Sequence, residues 1–362
     1  MSWDDSWQSN QDGWQDGGWS GDGNGGAPRR RRRGVWLALA ALPVLLVVGL
    51  LLAARNRGGQ ADGAPTPTAS PNPLVAAATI APAATTSPAA TASPEPETPA
   101  SSPTFGPNGA ASVIHDEAIN TLALELINES RRAAGLQPVL WDAVAAEAGE
   151  RHVVEMVEWG YFSHWNLDGL GPEHRYSRVG GVNAVMENLH ARASVRPPDD
   201  WGAVIREAHA GLMDSPGHRA NILDPAHTHV GIAIAYDASA GQVRLAQEFT
   251  NQYVVLNRWL PLSAERGARI LVDGSIANPN IDNILLDVAW EPIPQPLSVE
   301  QLNQTSSYSG AAQSFNTMRI ERGFSQEVAL DNVGRPGIYH IRLFGDVNGT
   351  QALLLDHCIW VE

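Results

Sequence analysis

The rhythm of apolar and polar residues changes several times along this chain, and each change predicts a different kind of structure. The first residues are polar and rich in Gly, Asp, Asn, Gln and Ser, with Trp3, Trp7, Trp14 and Trp19 spaced through them. Such a segment cannot bury enough surface to offset its chain entropy, so residues 1–34 read as a disordered tail that ends in the basic run Arg29 to Arg33. Val35 to Ala54 follow without a charge. About twenty residues at a 1.5 Å rise span the roughly 30 Å of a bilayer's hydrocarbon core. Pro43 and Gly49 are both tolerated in membrane helices. The excess of arginine before the stretch over Arg55 and Arg57 after it predicts a cytoplasmic N-terminus, with everything beyond residue 57 outside. A cleavable signal ending at Ala53-Ala54 is the weaker reading, because the apolar run exceeds a signal's core and follows a long tail. Residues 55–112, dominated by Pro, Ala, Thr and Ser, predict an extended, solvated linker.

Helical periodicity begins near Ile114. Ile119, Leu122 and Leu126 share one face, Glu125, Glu129, Arg131 and Arg132 lie mostly off it, and Gly135 and Pro138 signal the stop. Asp142 is placed to cap a second helix that turns Val144, Ala148 and Met156 inward and ends at Gly160. After a long loop, a third helix runs from Asp200 to Asp214 and is broken at Pro216-Gly217. Two strand-like runs, His229–Tyr236 and Gln242–Asn251, flank a turn at 237–241 and predict a hairpin. This order gives an α+β fold for residues 113–257. From Trp259 the helical signal ends. Short β-rich runs at 268–277, 281–290, 314–320, 326–331, 337–344 and 353–361 predict a small all-β sandwich over 258–362. Pro336-Gly337-Ile338-Tyr339 fits a tyrosine corner.

Composition narrows the function. A net charge of −15 argues against a nucleic-acid partner, and topology accounts for the one basic cluster. The single cysteine, Cys358, allows no intramolecular disulfide and no lipidated N-terminal cysteine. Oligomeric state is not legible.

The candidate chemistry lies in three motifs: Phe162-Ser163-His164, Glu187-Asn188-Leu189, and Ser215-Pro216-Gly217-His218-Arg219-Ala220-Asn221-Ile222-Leu223. Two neutral imidazoles, His164 and His218, suit an open zinc site, with Glu187 holding a bound water or a histidine tautomer. A hydrogen-bonded His-Glu cluster that ties loop to helix is the equal alternative. His152 reads as a helix-to-cleft hydrogen-bonder, and His227 and His229 as exposed histidines at a strand start that share a face. Ser163 and Ser215 neighbour histidines in sequence, yet the chain has neither a Gly-x-Ser-x-Gly elbow nor a His-Glu-x-x-His helix.

Together with Asn128-Glu129-Ser130-Arg131-Arg132 and the run from Gly135 to Asp142, these motifs resemble the bacterial branch of the CAP superfamily, also called SCP-like or cysteine-rich secretory protein, antigen 5 and pathogenesis-related 1. The resemblance covers roughly residues 115–253 and implies an α-β-α sandwich whose cleft gathers two histidines and two acids. By resemblance His164 and His218 are the histidines and Glu187 the first acid. Members with the full tetrad place a glutamate shortly before the second histidine; this chain has Asp214 there as the substitute. Met186, Leu212 and Ala233 replace residues common in the family. The expectation is a membrane-anchored, extracytoplasmic protein whose cleft, with or without zinc, binds a small apolar or amphipathic ligand, a lipid, or a cell-envelope component. A metal-dependent hydrolase of peptides or wall polymers is the first alternative, and a surface adhesion or scaffold protein the second.

Overall fold

A computed structural model describes residues 111–193, 200–305 and 308–362. The expected tail, the membrane helix at 35–54 and nearly all of the linker lie outside these residues. Among the described residues no helix is long and apolar enough to cross a membrane.

The first half is built from β1 (Ser112–Val113), α1 (Glu117–Ala133), β2 (Leu140–Trp141), α2 (Ala143–Trp159), α3 (Pro172–Arg178), β3 (Ala184–Ala193), α4 (Trp201–Asp214), α5 (Pro216–Ile222), β4 (His229–Asp237) and β5 (Gln242–Asn251). Aspartates start the long helices. Asp116, Asp142 and Asp200 each accept backbone N–H groups of the first turn of α1, α2 and α4, filling donors that a helix start leaves open. Gly160 ends α2 at φ 72°, a conformation that favours glycine. The strands pair in the order β1-β4-β5-β3, with β2 parallel to β4.

Strand alternation sorts β4 between two helical layers. Val230, Ile232, Ile234 and Tyr236 pack with Ile127, Ile205, Leu212 and Ile222 of α1, α4 and α5. Ala233 and Ala235 face Val153, Met156 and Val157 of α2. The α2 side is lined by small residues because helix and sheet approach closely. A Cβ on Gly231 would lie 2.0 Å from the Ala146 nitrogen. The result is the α-β-α sandwich, with a sheet buried on both faces.

The second half comprises β6 (Val254–Leu256), β7 (Ser263–Ala264), β8 (Arg269–Ile276), β9 (Asp282–Glu291), α6 (Val299–Gln304), β10 (Gln313–Arg319), β11 (Gly323–Ala329), β12 (Gly337–Val347) and β13 (Thr350–Val361). One sheet runs β10-β9-β12-β13-β7 and the other β11-β8-β6. Val272, Leu286, Val288, Val328, Ile341, Leu343 and Ile359 contribute to the core of this sandwich. Tyr339 forms the expected corner: its hydroxyl donates to the Arg335 carbonyl at 2.9 Å and accepts the Asn332 N–H at 2.8 Å.

Several local readings change. Arg131 is buried, not on the solvent face; its guanidinium donates to the carbonyls of Gln137, Ile222, Asp224 and His227 and so ties α1 to the chain after α5. Val144, expected inward, is 36% exposed on the first turn of α2. The long loop after α2 contains α3 and β3, and Pro216 begins α5 as its first residue. Beyond Trp259 the chain is not wholly β: α6 forms on a capping box between Ser298 and Gln301. β6 pairs with β8 and so joins the second sheet.

The two halves share an extended seam. Cys358 N–H donates to Ser177 Oγ at 3.0 Å, Asn251 Nδ2 to the Leu353 carbonyl at 2.7 Å, and Leu297 N–H to the Leu167 carbonyl at 2.8 Å. Asn183 and Leu355 form an isolated antiparallel bridge.

The close approach at Gly231 is a direct test of the α2–sheet packing. Gly231→Ala is expected to cost about 3 kcal/mol in urea unfolding, because the contact is backbone and cannot swing aside. A loss below about 1 kcal/mol would mean that helix and sheet are not held this close.

Candidate functional site

Pairing of β3 with β5 sets Glu187 directly opposite Glu248, and both side chains are buried. Two carboxylates in so dry a place cannot both ionise without a strong counter-charge. Arg175, the fourth residue of α3, supplies it. Its Nη2 donates to Glu187 Oε2 at 2.6 Å and lies 3.9 Å from Glu248 Oε1. Glu187 Oε1 accepts from His164 Nδ1 at 2.7 Å. Burial alone would raise the Glu187 carboxyl, but Arg175 first, with His152 and His164, overcomes it and holds the group well below the usual carboxylate range. Burial and then the Glu187 charge push Glu248 well above that range, so it is the protonated member of the pair.

The loop that carries His164 is fixed from two sides. His152, on α2, donates from Nε2 to the Ser163 carbonyl at 2.8 Å, as expected of a helix-to-cleft bridge. Burial, reinforced by Arg175, brings its pKa down to about 3, so the ring stays neutral. Arg175 Nη1 donates to the carbonyls of His164, at 2.6 Å, and Leu170, at 3.0 Å. Because His164 gives its Nδ1 proton to Glu187, its other nitrogen, Nε2, is left as the acceptor.

His164 and Glu187 border a cavity of about 210 Å³. Glu173, Val185 and Met186 continue this wall, and Tyr308, Arg342, Phe344, Leu353 and Asp356 of the sandwich close the opposite side. The Tyr308 ring stacks at a tilt on Trp165, 4.8 Å between centroids, and lies 6.3 Å from the His164 ring. The second half of the chain therefore forms one wall of the cleft.

The remaining expected site residues are placed differently. His218 is buried in α5, and its carbonyl accepts from Asn188 Nδ2 at 3.2 Å; Asn188 Oδ1 in turn accepts from Asn221 at 3.0 Å. Asn188 thus joins two of the sequence motifs, while His218 is not on the cavity wall. Asp214 stands exposed at the end of α4 and is not among the residues lining the cavity. The acid beside Glu187 is Glu248, which the motifs did not point to; the signal was a glutamate inside an otherwise apolar strand. His227 is buried, not exposed: its ring lies between Asn221 and Asn251 and stacks on Phe249, while His229 is half-buried on Thr228. Ser163 Oγ accepts the Trp165 N–H at 3.2 Å, and Ser215 sits at the start of α5.

The fit to zinc is partial. A histidine held by a carboxylate at one nitrogen and open at the other suits a metal ligand. Against this, both Glu187 oxygens are occupied by His164 and Arg175, and the guanidinium already balances the carboxylate's charge. Among the described residues, the cluster of three metal-capable side chains with ligand atoms within 4.8 Å of one another is His174, His340 and Cys358, buried on the seam. Hydrogen bonding explains that cluster without a metal. His174 Nδ1 accepts the Gly171 N–H at 3.1 Å, so its Nε2 carries the proton and donates to Glu291. His340 reaches Asp356 through Nδ1 at 2.8 Å and Glu291 through Nε2 at 3.2 Å, so both of its nitrogens donate. Burial lowers the His340 pKa, but Cys358 and Asp356 raise it further, to well above the ordinary value. Burial lifts the Cys358 thiol to about 11, against its use as a thiolate.

Residues 124–257 match the family model for CAP, the cysteine-rich secretory protein family. The chain is 26% identical over 132 residues to the uncharacterized protein YkwD of Bacillus subtilis (strain 168), covering 36% of this chain and 45% of that one. It thus spans less than half the length of this relative. Among solved structures, an extracellular protein containing a SCP domain from Bacillus anthracis aligns at 24% identity over 38% of this chain and 41% of its own, with a TM-score of 0.32. An outer surface protein from Borrelia burgdorferi aligns at 15% identity over 39% and 98%, also at 0.32. The family match ends at residue 257, so Tyr308, Arg342 and Asp356 lie beyond it.

Two substitutions test the buried pair. Arg175→Met strands the Glu187 charge and is expected to cost about 3–5 kcal/mol in urea unfolding. Glu248→Gln mimics the protonated acid. Glu248, raised above its reference of 4.5, contributes stability that is complete below pH 4.5 and is lost as pH rises toward the folded-state value. Glu187, depressed, contributes above pH 4.5 and loses it on acidification, equally in both proteins. The glutamine variant should therefore gain on the wild type above pH 4.5, by up to about 1.4 kcal/mol per pH unit. Parallel stability curves from pH 4 to 8 would show that Glu248 is ionised in the fold.

Proposed function

Since residues 124–257 belong to the CAP superfamily, we propose that the chain is an extracytoplasmic binding protein, anchored through residues 35–54, that holds a small amphipathic ligand or cell-envelope component without transforming it. The observation that carries this reading is the cavity walled by both halves of the chain. The His164–Glu187 pair and Arg342 give it polar groups, and Val185, Met186, Phe344 and Leu353 give it apolar walls. A largely apolar enclosure with a few fixed polar groups is what a small-molecule site requires. The charge-free stretch and its arginine asymmetry support placement outside the membrane.

The state of the polar groups argues for binding over turnover. Glu187 is engaged at both oxygens and held below the ordinary carboxylate range, which makes it a poor general base near neutrality. Ser163, the serine nearest His164 in sequence, accepts a backbone N–H and is buried. A metal-dependent hydrolase is the second reading, favoured by the carboxylate-backed His164. Metal analysis of the purified chain, with turnover of peptide and wall-polymer substrates by wild type and His218→Ala, separates the two. Stoichiometric zinc with activity lost in the variant would replace the binding reading.

For binding itself, Met186→Trp is expected to fill the cavity. The wild-type chain purified from its own host should carry a small molecule detectable by solvent extraction and mass spectrometry, and the variant should carry at least about tenfold less while keeping its circular dichroism. Equal recovery from both, or none from the wild type, would sink the proposal.

A further inference from the structure

The two walls of the cavity present opposite charges, Glu173 and Arg342, that make no direct ion pair with each other. On the CAP side, Glu173 opens α3 and is buried. Its ion-pair contact is with His174 Nδ1 at 3.8 Å, and that nitrogen already accepts the Gly171 N–H, so it offers no proton. Burial first, and then Glu173 beside it, push the Tyr308 hydroxyl well above its ordinary value, so it stays neutral. Among the described residues no lysine or arginine nitrogen lies within the 4.0 Å of an ion pair to Glu173. On the sandwich side, Arg342 projects from β12 with its side chain 15% exposed. Its hydrogen bond among the described residues runs from Nε to Asp356 Oδ2 at 3.2 Å. The four Nη protons, the forked end of the guanidinium, have no acceptor there.

Asp356 does not compete for that fork, because it also takes the His340 Nδ1 proton. Glu291 receives both His174 and His340. The seam's anions Glu291 and Asp356 are thus matched by His340 and Arg342, and Glu187 is matched by Arg175. Glu173 makes no direct ion pair with an arginine, and Arg342, despite its burial, is held charged by Asp356, then Asp287, then Glu173. Glu173 and Arg342 line the same 210 Å³ space. At about 30 Å³ per water it holds roughly seven waters, below the roughly 300 Å³ of a drug-sized pocket. Val185, Met186, Phe344 and Leu353 leave a short apolar face between the charges.

We propose that this cavity binds a small zwitterion of the amino-acid class, its carboxylate on the Arg342 fork and its ammonium on Glu173, with a short side chain against the Val185–Met186 wall. The proposal rests on the binding reading above and names its ligand class. A planar guanidinium fork suits a carboxylate, and a buried carboxylate without a direct ion pair to an arginine suits an ammonium. The ligand bridges the two halves of the chain, so the sandwich is part of the binding site and not an appendage to it.

Calorimetry on the full chain tests this with glycine, both hands of alanine and leucine, and two single-charge analogues of leucine, isoamylamine and 4-methylpentanoate. At least one amino acid is expected to bind, and loss of either charge to weaken binding about tenfold or more. Arg342→Gln should erase the preference for leucine over isoamylamine, and Glu173→Gln the preference over 4-methylpentanoate. Arg342→Gln also removes the contact to Asp356, so Glu173→Gln, which breaks no direct ion pair to an arginine, decides the matter if the first variant fails to fold. A single-charge analogue binding as tightly as leucine, or amino-acid binding unchanged in Glu173→Gln, overturns the proposal. If no amino acid binds at millimolar concentration while a molecule recovered from the host is still lost in Met186→Trp, the zwitterion is wrong and the binding role stands. If neither binds, both fail.

Discussion

Everything around the cleft depends on two carboxylates that the β-sheet forces together. Strand pairing gives Glu187 and Glu248 no freedom to separate, since they are direct partners across β3 and β5. The low dielectric there makes mutual repulsion costly, and the fold answers with one proton and one guanidinium. That guanidinium does more than neutralise. By donating to the carbonyls of His164 and Leu170 as well as to Glu187, Arg175 couples the charge balance of the sheet to the shape of the loop. His164 is then oriented twice, by the loop that carries it and by Glu187. A buried ion pair of this sort is a weak source of net stability, but removing one partner leaves an uncompensated charge, so it fixes geometry firmly.

The second half of the chain repeats this logic at the seam. His340 lies between Asp356 and Glu291, and Glu291 reaches across to His174 of α3. Because the His340 pKa is raised, the tie is complete below about pH 6.5 and is lost only as pH climbs through the folded-state value. The expectation of a separable adhesion module assumed a sandwich standing apart from the cleft. Here Tyr308 and Arg342 are built into the cleft wall, and removing residues 258–362 would open the cavity as well as delete a surface.

What the sequence made legible follows the range of the interactions. Caps at Asp142 and Asp200, the glycine stop at Gly160, the β4–β5 hairpin and the tyrosine corner are set by neighbours a few residues away, and their patterns can be read directly. His164 and Glu187, which the family motifs singled out, lie 2.7 Å apart. Asp214 was chosen because it precedes His218 in sequence, but the last turn of α4 points it to solvent. Glu248 was hidden because its role comes from strand register, which is not written in spacing. Arg131 and Arg175 share the same blind spot: an arginine reads as solvent-facing unless the carbonyls or carboxylates that collect around it are known. Contacts such as His174 with Glu291 join residues from different halves of the chain, and no local pattern encodes them.

The ligand problem is one of residual charge more than of shape. The matched groups, Glu187 with Arg175 and Asp356 with His340, are satisfied inside the protein and have little to gain from a guest. Selectivity must come from groups whose partners are missing, because only there does a ligand replace water without displacing an existing bond. On the proposed binding reading the candidates are His164, Glu173 and Arg342, which line the cavity from both sides of the seam. A CAP domain alone would present only the first two. On the proposed binding reading, the cationic anchor comes from beyond residues 124–257, so recognition would be a property of the joined halves.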